Sequence, residues 1–194
     1  ALGRSLDRAG RVPDAEVSVF PWQVDLALAD GALEIALAEH ESRQFVHANP
    51  TLWTGEAIFG VLSLITRDFA PIGRRLHAAH QRLEGIPAFL ADMTNVLGAA
   101  PADWIDRARR ECDVARALFG EALPRWLEGL AVADPAGVAG VDLAGWIAAS
   151  SNAANAFEKL GAWLETSPGT DRPLRAGDDL MELLLRRGHW ITTP

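Results

Sequence analysis

The segment with the most chemical potential runs from Gly55 to Phe69. At ~100° per residue, Glu56, Gly60, Ser63 and Arg67 fall on one narrow helical stripe. The remaining positions, including Ala57, Ile58, Phe59, Val61, Leu62, Leu64 and Ile65, are almost all apolar. A helix that is apolar nearly all round is buried on most sides. Its polar stripe must then meet either water or a polar pocket. The first alternative makes the stripe a thin solvent-facing strip. The second makes Glu56 and Arg67 substrate-binding groups facing an internal cleft. On a straight helix the two lie ~16 Å apart along the axis and do not pair with each other.

Other chemistry-bearing residues offer less. His77 and His80 are spaced i, i+3 and share a helix face. A zinc site needs a third ligand, and Arg74, Arg75 and Arg82 oppose a cation there, so a solvated charged face is expected. His40-Glu41 opens like a zinc-protease motif, but Gln44 occupies the position of the second imidazole. No catalytic residue and no metal ligand is assigned. There is no Gly-x-Ser-x-Gly elbow, and Ser150-Ser151-Asn152 falls inside a predicted helix, where packing or solvent explains it. Cys112, the single cysteine, sits on an apolar face with Trp104 and Phe119 and reads as a buried, inert thiol. It cannot form an internal disulfide or a thiolate zinc site. No phosphate loop or dinucleotide fingerprint is present.

The elements that must position these residues are helical. Apolar residues recur at helical spacing from Trp22 to about Phe45, with Gly31 a point of bending or breakage. Asn49-Pro50 ends that helix, and Thr54 is the expected cap of the next, with Glu56 complementing its dipole. Ala70-Pro71 starts another helix, kinked or restarted at Pro87. Gly98 to Pro101 is a stop followed by a start. Trp104, Ala108, Cys112, Ala115 and Phe119 mark a further amphipathic helix, broken or kinked at Pro124. Leu143 to Leu164 is a long helix, Thr166 to Gly177 a loop, and Asp178 to Arg187 a short last helix stopped by Gly188. No strand pair or hairpin signal is found. The fold class is therefore all-α, an irregular bundle of about six to eight helices. Residues 1–14 read as a flexible arm and 15–194 as a single helical domain.

The whole composition agrees. The chain has 194 residues, 49% hydrophobic and 23% charged, enough for a core without metals or disulfides. Its net charge of -8 disfavours a nucleic-acid partner and an anionic membrane surface. No stretch approaches the ~18 apolar residues of a membrane span, and no secretory signal is visible. A reducing, cytoplasmic setting is expected.

The run Asn49-Pro50-Thr51-Leu52-Trp53-Thr54-Gly55-Glu56-Ala57-Ile58-Phe59-Gly60 resembles a bacterial family called domain of unknown function 885. The similarity continues through Arg67-Asp68-Phe69-Ala70-Pro71, the Arg75-Leu76, Arg82-Leu83 and Ile86-Pro87 pairs, and Glu182 to Trp190. The resemblance implies a large all-helical protein similar to helical zinc peptidases, with a His-Glu metal motif in its C-terminal half. That motif has no counterpart in these residues. The resemblance thus implies an N-terminal helical portion that walls or supports an active-site channel, with no cofactor of its own and zinc in the full-length protein. Its implied partner is the C-terminal half, or a second copy through an apolar face. The alternatives are a free-standing helical module for ligand binding or dimerisation, and a small metal-free hydrolase using His47, Glu56 and Arg67.

Overall fold

The computed structural model describes residues 19–43, 45–171, 175 and 177–188. Seven α-helices appear among them: α1 (Val19–Glu41), α2 (Pro50–Thr66), α3 (Ile72–Val96), α4 (Ala102–Ala117), α5 (Leu123–Ala133), α6 (Leu143–Thr166) and α7 (Asp178–Arg187). A π-helical turn, Leu118–Ala122, joins α4 to α5. No strand is present among the described residues. The all-α expectation holds. The expected arm at residues 1–14 lies outside the described residues.

The described residues divide into two compact units, one within 46–172 and one that joins α1 to α7. The division arises because the chain's two end helices, α1 and α7, pack on each other.

In the larger unit, α2, α3, α6 and α4 form a closed ring of neighbours, so that α3 and α4, consecutive in the chain, sit diagonally. Side-chain pairs fix the directions. Trp53 meets Phe89 and Gly60 meets Arg82, so α2 and α3 are antiparallel. Trp146 Nε1 donates to the Leu76 carbonyl at 3.2 Å, and beyond both helices Pro101 and Thr170 bridge in parallel. Hence α3 and α6 run parallel. Arg109 meets Glu165 and Ser150 meets Phe119, so α4 and α6 are antiparallel. The core inside this ring holds Trp146, Leu76, Leu83 and Met93, with Phe119 and Phe157 stacked at 5.6 Å. Small residues let α4 and α6 approach closely. A Cβ at Gly161 would sit 3.6 Å from that of Cys112, and one at Gly120 would sit 3.5 Å from that of Ala154.

Two local expectations are corrected. The cap of α2 is Asn49, whose Oδ1 accepts from the Thr51 N–H at 3.0 Å, with Pro50 in the first turn where its missing N–H is harmless. Thr54 is instead fully buried and hydrogen-bonds Glu111 on α4. The helix ends at Thr66, not Phe69, because the Arg75 guanidinium takes the Ile65 and Arg67 carbonyls at 3.1 and 2.9 Å and the Ala70 carbonyl at 2.7 Å. Gly31 lies inside a continuous α1, and the expected distortion near Pro124 takes the form of the π-helical turn that precedes it. Pro87 likewise lies within a continuous α3.

Candidate functional site

Glu56 projects from α2 toward α3 and lines a cleft of about 170 Å³. Antiparallel packing brings Gln81, Arg82, Gly85 and Phe89 of α3 to the same place, over a floor of Ala57 and Ile86. Gly60 makes room for the arginine, since a Cβ there would lie 3.7 Å from the Arg82 guanidinium. Phe89 is held against Trp53 at 4.9 Å, and Trp53 is anchored in turn by its Nε1 donating to the Val46 carbonyl at 2.9 Å. Glu56 and Arg82 are both exposed, and neither makes an ion pair or hydrogen bond among the described residues. The cleft therefore offers an uncommitted carboxylate, an uncommitted guanidinium, an amide and an aromatic edge. Opposite charges in one small cleft complement a ligand that carries both signs.

Arg67 is not part of this arrangement. It follows the last turn of α2 in extended backbone (φ -99°, ψ 131°), and its carbonyl accepts from Arg75. The end of the helix takes Arg67 off the stripe that continuous periodicity assigned to it. His47 lies before the other end of α2, where its ring meets the Val96 carbonyl at 3.3 Å. His47 and Arg67 therefore flank opposite ends of a helix ~25 Å long, and no single pocket holds them with Glu56. Arg82 is the residue that sequence reading missed. It stood in a stretch rich in arginine that reads as a solvated face, and only the opposing Gly60 distinguishes it.

The other candidates resolve simply. His77 contacts Gln81 at 3.3 Å and His80 lies 3.8 Å from Glu84, so the two imidazoles engage different partners. No group of three metal-ligating side chains occurs among the described residues. Gln44 of the rejected zinc motif lies outside them. Ser150 is fully buried and donates to a backbone carbonyl.

Cys112 is buried between α4 and α6, and desolvation, reinforced by Asp113 and Glu111, pushes its thiol up to about 12 from 9.0. Two results are expected. The native protein resists iodoacetamide at pH 8, and reacts once unfolded. Stability is unaffected below pH ~9, where both states hold the proton. Between ~9 and ~12 the unfolded chain has lost a proton that the native chain keeps, so stability falls by up to ~1.4 kcal/mol per pH unit. Denaturation of C112A against pH checks this, because that variant lacks the fall.

No protein-family model, curated protein or solved structure matches this chain.

No helix among the described residues is long and apolar enough to cross a membrane.

Proposed function

We propose that this chain is the N-terminal helical part of a metallopeptidase-like protein, where it walls the substrate channel and leaves the reactive metal to residues outside this sequence. One observation supports it above the rest: Glu56 and Arg82 line one cleft with their charges uncommitted. A carboxylate and a guanidinium held apart there suit the ammonium and carboxylate of a short peptide. The resemblance of the segment from Asn49 to Gly60 to the domain of unknown function 885 family supplies the reaction class. The reading places the chain in a reducing, cytoplasmic compartment.

Calorimetric titration with a panel of unblocked dipeptides tests the proposal. Binding that weakens about tenfold in E56Q and in R82Q is expected, roughly the 1.4 kcal/mol of one charge-assisted contact. Both side chains are exposed, so the folds of these variants survive, and R67Q binds as the parent does. Equal binding by all three variants overturns the assignment of the cleft. Zinc-dependent peptide hydrolysis by this chain alone, with stoichiometric metal, overturns the division of labour.

A second reading has its own support. Leu52 and Phe59 lie seven residues apart on α2 and are 42% and 68% exposed. A dimerisation module would cover them with a second copy. Sedimentation of F59D against the parent separates the readings: a dimer lost in F59D favours self-association, and a parent that is monomeric at all concentrations removes it.

A further inference from the structure

A second groove runs between the parallel helices α3 and α6, on a different face from the Glu56 cleft. Its main part, about 590 Å³, has an apolar floor that includes Leu90, Leu160 and Trp163. Along its α6 side stand Asn152, Asn155 and Lys159. All three are exposed, and none makes a hydrogen bond or ion pair among the described residues. Past Pro87 and Asn152, which line both parts, the groove continues for about 350 Å³ to His80, Glu84 and Asp142.

This arrangement has a length, a polarity and a pattern of donors. Asp142 and Lys159 are ~25 Å apart along α6, the span of about seven or eight residues of extended chain. The end at Glu84 and Asp142 is acidic, with Asp142 Oδ1 also accepting from the Gly145 N–H as the cap of α6 and His80 lying 3.8 Å from Glu84, and the other end carries Lys159, the chain's single lysine. Each asparagine amide presents both a donor and an acceptor, the complement of a peptide unit. Residues spaced i, i+3 on a helix have Cβ atoms about 5–6 Å apart, within side-chain reach of alternate peptide units ~6.7 Å apart. Side chains on one edge of such a strand would fall on Leu90, Leu160 and Trp163.

We infer that the α3–α6 groove is a docking site for an extended peptide segment of a partner protein. The segment lies parallel to α6, with a basic residue at the Glu84–Asp142 end and a carboxylate at Lys159. Asn152 and Asn155 hold its backbone. The inference does not depend on the Glu56–Arg82 cleft.

The probe is an eight-residue peptide of alternating leucine and alanine, with an N-terminal arginine bearing an uncharged fluorophore and a free C-terminal carboxylate. Fluorescence polarisation is expected to show saturable binding. K159Q and the double variant N152A/N155A each weaken it about tenfold, a loss typical of a charged or paired hydrogen-bonding contact at an interface. A peptide with N-terminal glutamate and an amidated C-terminal arginine binds about tenfold more weakly than the probe. Reductive methylation with labelled formaldehyde gives one lysine side-chain NMR signal, from Lys159, and the probe shifts it. E56Q and R82Q leave all of this unchanged, so failure here is distinct from failure of the proposed function. Absence of saturable binding overturns the inference, as does equal binding by K159Q and N152A/N155A, equal binding of the reversed peptide, or loss of binding in E56Q. A dimer in which a second copy occludes Lys159 also overturns it.

Discussion

Replacing Ser150 by alanine is expected to destabilise the four-helix unit by about 1–3 kcal/mol, although only one oxygen atom is removed. The reason lies across the bundle, in the π-helical turn. There the Leu123 N–H bonds the Leu118 carbonyl, five residues back. The Phe119 carbonyl would take the next N–H in that register, at position 124, and position 124 is proline. Proline has no N–H to give. A carbonyl is thereby left without a helical donor inside the core, beside a phenylalanine with no exposed surface. Ser150 Oγ supplies the missing donor at 2.6 Å. In S150A the Phe119 carbonyl stays buried and unpaired, which costs its desolvation as well as the bond. Denaturant titration of S150A, P124A and the double variant checks the account. P124A restores an N–H at position 124, so the double variant should be less destabilised than the two single changes summed, by at least ~0.5 kcal/mol. Strict additivity would sink the explanation.

Gly31→Ala carries the second large effect, and its sign is diagnostic. Within a helix, alanine is worth roughly 0.5–1 kcal/mol over glycine. Gly31 is buried within α1, and a Cβ there would lie 2.6 Å from the backbone carbonyl oxygen of Arg187 at the end of α7. That oxygen cannot move without its helix. Alanine therefore pushes α7 away from α1 and disturbs the contacts that seat it. Arg187 Nη2 donates to Asp30 at 2.6 Å, and Nε donates to Glu34, one helical turn further along. These bonds, the one to Glu34 foremost, hold the guanidinium protonated more firmly than usual. Overpacking of this kind costs about 1–3 kcal/mol, more than the helix preference returns. Hydrogen exchange should rise across Asp178–Arg187 in G31A, while the helices of the larger unit keep the parent's protection. A variant with unchanged or slower exchange in α7 would show that the close approach of α1 and α7 does not hold.

The sequence alone determined the helices and most of their ends, because the signals are local. Asparagine and proline at positions 49 and 50, glycine and proline from 98 to 101, and Asp142 before a run of apolar residues act within one or two turns of where they stand. The apolar faces of α3, α4 and α6 were legible for the same reason: Leu76, Ala79, Leu83 and Ile86, or Ala108, Cys112 and Ala115, recur at the helical period and are buried. Glu56 was found as a stripe residue, and it lines a cleft. Its partner in that cleft was not legible, because the sequence does not say which helix opposes α2 or in which direction it runs. Antiparallel packing placed Arg82 over Gly60, and Arg75, by capping the end of α2, took Arg67 off the stripe. The tertiary structure likewise decided what Gly31, Ser150 and Pro124 do. Gly31 accommodates a carbonyl 156 positions away, and Ser150 completes a turn 31 positions away. Interactions across such separations depend on how whole helices pack, and periodicity along one helix carries no information about the atom that will face it from another.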